Sequence, residues 1–262
     1  MQLQSLQQID RHHRQIYLSP HFDDAVLSCG GSMGLQRMAG HQALVVTIFG
    51  GTGTAPLTPF AQQLQREMSF GPTAEDAVAR RREEDAAACE HLGADALWLD
   101  LPDALYRGYS SRDALFGGVD RTDVAIEEQV TKILQEIRTR SPLAVIYSPL
   151  GIGHHVDHQL VCSAADHLVQ QKTNIKFYED FPYVTSQGAL RDRQQELGLK
   201  MEPEMNEVSS HIPAKVEAIA MYRSQVPQLF GTEEKMRQAV EAYTGSIRTF
   251  YPGIKIERFW RW

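Results

Sequence analysis

Two periodicities alternate along this chain. Short runs rich in β-branched and aromatic residues, at 15–18 (QIYL), 43–49, 96–101, 143–150 and 175–181, predict strands. Between them, 25–38, 80–92, 123–139 and 158–170 carry apolar residues at helical spacing, and a further helix is expected over 214–222. Strands that alternate with helices predict an α/β fold with a mostly parallel sheet and helices on both faces. In such a sheet, ligands bind where strands end and helices begin. Two strand-to-helix seams, PHFDD at 20–24 and the loop after 143–150, are therefore expected on one rim.

Other stretches are less patterned. Segment 50–79 has Gly and Pro at both ends and weak periodicity, which suits a mobile cover over the rim and an ordinary surface excursion equally. Beyond residue 186 a polar loop and the 214–222 helix are expected, with the aromatic end RFWRW covering the edge of the core. No linker, repeat or low-complexity tract divides the 262 residues, so residues 1–262 read as a single domain.

Composition narrows the function. A formal net charge of −7 provides no broad basic surface, and Arg80, Arg81 and Arg82 read as locally neutralised by Glu83, Glu84 and Asp85. Nucleic acid is not an expected partner. No apolar stretch is long enough to span a bilayer and no secretion signal is evident, so a cytoplasmic location is expected. Three widely spaced cysteines, Cys29, Cys89 and Cys162, suit reduced, buried thiols. The glycines of CGGSMG (29–34) fall inside a predicted helix, without a dinucleotide fingerprint, and suit close packing of that helix on the sheet.

The chemistry concentrates in two loops. In PHFDD, His21 and Asp24 are three apart and project to one side of a nascent helix, while Asp23 points elsewhere. A helix N-terminus alone explains one aspartate, not a histidine beside two. The second loop, GIGHHVDHQLV, places His154, His155, Asp157 and His158 within five positions. A solvated loop and a metal-binding loop are both compatible with that cluster alone. One histidine and one carboxylate from the first loop plus one histidine from the second would form a three-ligand set with an open position, as a catalytic zinc site requires. Asp23 would stand beside it as a general base.

These motifs carry a resemblance. PHFDD resembles the P/A-H-x-D-D signature, and HVDH the H-x-D-H signature, of the LmbE-like or PIG-L deacetylases. RRREEDAAACEHLGA resembles the R-x-x-E-x-x-x-A-x-x-x-L-G helix of that family, LDLPDA the segment after it, and KVEAIAMYRSQ its late helix. The resemblance implies a Rossmann-like, LmbE-like fold and a zinc-dependent hydrolase that removes an N-acetyl group from an amino sugar or its conjugate; a two-histidine, one-carboxylate set also suits ferrous iron. The resemblance implies metal ligation by His21, Asp24 and His158, with Asp23 as base and then acid. It further implies His155 as oxyanion stabiliser, Asp157 as the residue orienting a loop histidine, and Arg81 and Asp103 as contacts to sugar hydroxyls. A metal-dependent amidase or esterase acting on a non-sugar conjugate would share the same ligands. Two positions depart from the family pattern: Phe22 where proline is frequent, which would alter access to the metal, and Ala25 where glutamate is frequent. His154 has no assigned role. The aromatic stretch YEDFPY (178–183) reads as packing near the rim or as a wall of the pocket.

Overall fold

The computed structural model describes residues 1–53, 57–67, 73–247 and 252–262. In chain order the first half holds β1 (Gln2–Leu3), β2 (Gln15–Ser19), α1 (Asp24–Met38), β3 (Ala43–Thr47), α2 (Pro59–Glu67), α3 (Ala74–Leu92), β4 (Asp95–Trp98), α4 (Arg112–Leu115) and α5 (Val124–Arg140). The second half holds β5 (Val145–Pro149), α6 (Val156–Val169), β6 (Ile175–Tyr178), α7 (Ala189–Leu197), β7 (Glu202–Glu207), α8 (Ile212–Ala220), α9 (Val226–Phe230), α10 (Glu233–Ser246) and β8 (Ile256–Arg261).

The eight strands form one sheet in the order β1-β4-β3-β2-β5-β6-β8-β7. Pairings from β1 through β6 are parallel, and only those made by β8 are antiparallel. The predicted strands are unbroken apolar runs because the centre of the sheet is covered on both faces. Tyr17, Val45, Ala88, Leu92, Val216 and Ile219 pack on one face, against α1, α3 and α8. Ile16, Val46, Leu134, Ile137, Val161 and Leu168 pack on the other, against α5 and α6.

This order places the site. From β2 the chain crosses through α1 to β3 on one side, whereas from β5 it crosses through α6 to β6 on the other. The winding thus reverses between adjacent strands β2 and β5, which opens a crevice beyond their C-terminal ends. The PHFDD and HVDH loops follow those two ends.

Three local readings change. The region after 186 is not a polar loop with an aromatic cap: it contains α7 and an antiparallel β7–β8 pair, and RFWRW lies largely in β8. Trp260 is buried and Trp262 stacks on Phe177 at 3.9 Å between ring centroids. The glycines of α1 face α8 and the turn before it as well as the sheet: a Cβ on Gly31 would lie 2.9 Å from Val208 Cβ and 3.0 Å from Glu257 Oε1 of β8, and one on Gly34 would lie 3.0 Å from His211 Nδ1. Part of segment 50–79, at 54–56 and 68–72, lies outside the described residues. Its described part contains α2 and the start of α3, where a reciprocal capping box of Thr73 and Asp76 starts the helix at Ala74, six residues before the predicted start. The cysteines are free and buried, and among the described residues no helix is long and apolar enough to cross a membrane.

Candidate metal centre and active site

Ser19, the last residue of β2, shapes the first loop. Its hydroxyl donates to the carbonyl of His21 at 2.5 Å and accepts from Ala25 N–H at 3.0 Å, folding PHFDD directly into α1. In the second loop Gly151 and Gly153 adopt left-handed φ of 79° and 91°, and a Cβ on Gly153 would stand 2.7 Å from the Tyr183 ring. Only glycine meets both conditions at that position. His155 then caps α6, its Nδ1 accepting from Asp157 N–H at 3.3 Å.

The two loops converge on one oxygen. Asp24 Oδ2 lies 3.2 Å from His21 Nδ1 and 3.3 Å from His158 Nε2, and accepts the His21 N–H at 2.8 Å. Donors about 2.0–2.1 Å from a tetrahedral ion stand about 3.3 Å apart, so each histidine nitrogen stands from the Asp24 oxygen at the spacing of two ligands on one ion. His158 Nε2 is buried without a hydrogen-bond partner, while its Nδ1 lies 2.7 Å from Asp180 Oδ1. A histidine gripped at one nitrogen by a carboxylate presents the other nitrogen's lone pair to a cation once the proton there has left. His21 is likewise held at one nitrogen by a carboxylate, its Nε2 2.9 Å from Asp157 Oδ2, while its Nδ1 faces Asp24 Oδ2 at 3.2 Å.

Charge supports that fit. Burial disfavours protonation of His21, but Asp103, Asp157 and Asp24 outweigh it and hold its pKa well above the usual imidazole range. Against the same burial, Asp24 and Asp180 push His158 up to about 10. Burial would raise Asp24, yet His158 and His21 hold it well below the carboxylate range. Two imidazolium protons therefore sit where one divalent cation would serve the same carboxylates. His155 is the exception, because burial and the neighbouring His21 push it well below the ordinary value and keep it neutral. With Nδ1 accepting from the backbone, its proton resides on Nε2.

Asp23 is separate from this donor cluster. Arg81 Nη2 donates to its Oδ1 at 3.0 Å, and the Arg81 guanidinium lies over the Phe22 ring, 5.3 Å from its centroid. Phe22 is buried between that guanidinium and Trp98, so its influence falls on Arg81 as well as on the cavity wall. Burial, only partly offset by Arg81, raises the Asp23 pKa. Asp103 Oδ2 lies 3.5 Å from His21 Nε2 and 4.0 Å from Arg81 Nη1. Asp23, Asp24, His21, His155, Arg81 and Asp103 all line one cavity, with Leu64, Leu105, Tyr106, Phe116, Tyr183 and Leu229 on its apolar walls.

Among the described residues two donor groupings bring all their ligand atoms within 4.8 Å of one another, His21 with His155 and His158, and His21 with Asp103 and Asp157, and Asp24 belongs to neither. In the second, Asp157 is already engaged. Its Oδ2 accepts from Ala104 N–H at 3.0 Å, and its Oδ1 is ion-paired with Arg107 at 2.7 Å. Despite complete burial, Arg107 and His21 hold Asp157 below the usual carboxylate range.

Several functional side chains escape the sequence reading. Asp180, in YEDFPY, holds His158 and also accepts from Ile152 N–H at 2.9 Å. Its signal is position: it follows β6, the strand beside β5, on the same rim. Pro182 and Tyr183 of that stretch line the cavity, whereas Phe181 stacks on Phe230 and Tyr243. The Arg80–Asp85 run is neutralised within itself only in part: Arg80 pairs with Glu84 at 3.5 Å, and other members reach outside it. Arg81 reaches Asp23, Arg82 reaches Asp100 at 2.7 Å, and Asp85 accepts from Trp98 Nε1 and Tyr222 OH at 2.7 Å each. Glu84 accepts from Ser224 N–H at 3.0 Å and from its hydroxyl at 2.5 Å, tying α3 to the segment that carries Gln225 to the cavity. His154 lies outside the cluster, at φ 63° and 3.7 Å from Glu196.

A doubly wound sheet with a histidine–carboxylate cluster at its switch point defines an α/β protein whose donors suit a divalent metal. Residues 16–169 match the PIG-L family, GlcNAc-PI de-N-acetylase, and the chain belongs to that family. It is 31% identical over 240 residues to the 2'-N-acetylparomamine deacetylase of Niallia circulans, covering 85% of this chain and 84% of that one. The enzyme of the same name from Streptomyces fradiae is 31% identical over 222 residues, covering 82% and 74%. Among solved structures, the zinc-inhibited form of teicoplanin deacetylase superposes with a TM-score of 0.78 over 94% of this chain and 97% of that one, at 24% identity, a likeness of fold. The fold and family drawn from the motifs are thus met.

Proposed function

We propose that this protein is a metal-dependent N-deacetylase of an amino-sugar conjugate, with zinc as the first candidate ion and ferrous iron as the second. The observation that carries the reading is the bare, buried His158 Nε2 facing the Asp24 oxygen that also faces His21. Two 2'-N-acetylparomamine deacetylases related to the chain over most of its length support an N-acetylated aminoglycoside-type substrate.

His21, Asp24 and His158 would hold the ion, which when bound supplies Lewis acidity and lowers the pKa of water to about 7. Asp23 takes a proton from the attacking water and later returns it to the departing amine. Arg81 fixes Oδ1 of Asp23, leaving Oδ2 for that transfer. His155, neutral with its proton on Nε2, donates to the oxyanion that develops on the acetyl carbonyl. Asp103 and Arg81, at the cavity wall, are placed to bond sugar hydroxyls, and Phe116 and Tyr183 to pack on a ring face.

The test measures acetate released from 2'-N-acetylparomamine, N-acetylglucosamine and a simple acetate ester by protein stripped with chelator and reloaded with zinc or ferrous iron. Amide cleavage that follows metal loading and favours the aminoglycoside is expected. Ester cleavage without amide cleavage would refute the reading in favour of an esterase.

A further inference from the structure

We propose that Arg107 is a positioning residue for the metal centre: by occupying Asp157, it keeps that carboxylate as a support for His21 and prevents it from becoming a ligand itself. The inference rests on the ligand set of the proposed function. Its starting point is that two donor clusters share His21, one through Asp24 and His158 and one through Asp103 and Asp157. A buried carboxylate 2.9 Å from a ligand histidine competes for any cation that arrives.

The geometry of Arg107 resolves that competition. Its side chain is 6% exposed and lies outside the cavity lining. Nη1 donates to the Pro102 carbonyl at 2.8 Å, and Nε and Nη2 grip Asp123 at 3.1 and 2.7 Å. Nη2 also stands 2.7 Å from Asp157 Oδ1, and the guanidinium lies over the Phe49 ring, 5.1 Å from its centroid. Asp157 then has Arg107 on one oxygen and His21 and Ala104 N–H on the other. A planar guanidinium spans two carboxylates and a carbonyl at fixed angles, which an ammonium does not. Oδ2 is held by two partners, whereas Oδ1 has no hydrogen-bond donor and faces the guanidinium charge at 2.7 Å, so what keeps the Asp157 carboxylate from turning toward a cation is the Coulombic pull of Arg107. His21 keeps its Nε2 proton on Asp157 and offers Nδ1 to the side where Asp24 and His158 stand.

The test titrates chelator-treated full-length protein with cobalt(II), reading affinity and the visible d–d absorption, which reports ligand number and type. Arg107→Met is expected to weaken cobalt binding about 10- to 100-fold, as loss of such supports does elsewhere, and to change the spectrum as Asp157 joins the ligands. Arg107→Lys restores part of the affinity. In the Asp157→Asn background the Arg107→Met change has no further effect beyond about threefold, and that double variant carries no unpaired Asp157 charge should the single variant fold poorly. Asp123→Asn, which loosens the other end of Arg107, leaves the spectrum unchanged. Equal losses from Arg107→Met with and without Asp157, or a spectrum altered equally by Asp123→Asn, would overturn the inference alone and mark Arg107 as a loop anchor. A wild-type protein that takes up no cobalt would overturn the ligand set and this inference together.

Discussion

Replacing Asp180 by alanine separates two jobs that one carboxylate performs. Asp180 is 1% exposed and makes two bonds, to His158 Nδ1 at 2.7 Å and from Ile152 N–H at 2.9 Å. Loss of the first frees the His158 ring to rotate and removes the acceptor that fixes its tautomer. Comparable losses lower metal affinity about 10- to 100-fold, which is about 1.4–2.7 kcal/mol. Loss of the second leaves a buried backbone N–H unsatisfied, at about 1–3 kcal/mol of stability whether or not metal is bound. For a chain of this size that corresponds to a Tm lower by roughly 2–12 °C. Competition for zinc with a fluorescent chelator measures the first quantity, and thermal unfolding of the metal-free protein measures the second. Asp180→Asn, whose carbonyl satisfies one donor while its amide faces the other, is expected to fall between wild type and alanine in both. A metal affinity within threefold of wild type, with the Tm still lowered, would show that Asp180 anchors the Ile152 turn and that His158 is oriented by its other neighbours.

Two further outcomes follow from the same geometry. Asp23→Asn and His155→Ala should each retain metal by elemental analysis while losing turnover, about 10²- to 10⁴-fold for the proton carrier and about 10²- to 10³-fold for the oxyanion donor. Metal loss in step with activity would make Asp23 a ligand in the first case and favour the three-histidine set in the second. Buried Asp85 has its pKa raised to about 7 by burial, against the bonds from Tyr222 and Trp98. The native state therefore holds a proton that the unfolded chain has released above pH ~4, so this group's stabilising contribution is full below pH ~4 and is lost as pH rises through ~7. Three pKa units correspond to something on the order of 4 kcal/mol. Urea unfolding should show Asp85→Asn gaining on wild type by up to that amount between pH 4.5 and 8, and parallel curves would show Asp85 ionised throughout.

What was legible followed from burial on two sides. The central strands announce themselves as apolar runs because neither face meets water, and the strand-to-helix seams then fix where chemistry can sit. The β7 strand, EPEMNE, has mostly exposed or half-buried side chains and contains Pro203, so nothing apolar marks it and it reads as loop. In α3, Asp85 hides within a charge run that reads as a solvated face. Its spacing to Cys89 and Leu92 nevertheless places it on the buried stripe, where an acid requires partners. Arg107 carries no comparable mark, since its partners Asp123 and Asp157 meet it only through the path of the chain after β4.

The arrangement of charge explains how one crevice can hold so many acids. Asp24 and Asp180 share His158, Asp157 and Asp24 share His21, and Asp23 and Asp157 each face an arginine, so each of these buried carboxylates has a cationic neighbour before any ion arrives. Entry of a divalent cation with departure of the two imidazole protons leaves the local charge unchanged. The protons thereby hold the donors within 3.2–3.3 Å of the Asp24 oxygen, close to the spacing an ion imposes, and little rearrangement is needed on binding. Neutral His155 lies outside that exchange. It can remain a hydrogen-bond donor in both states, as an oxyanion stabiliser must, because burial and the positive charge beside it outweigh the pull of Asp157 and Asp24 on a second proton.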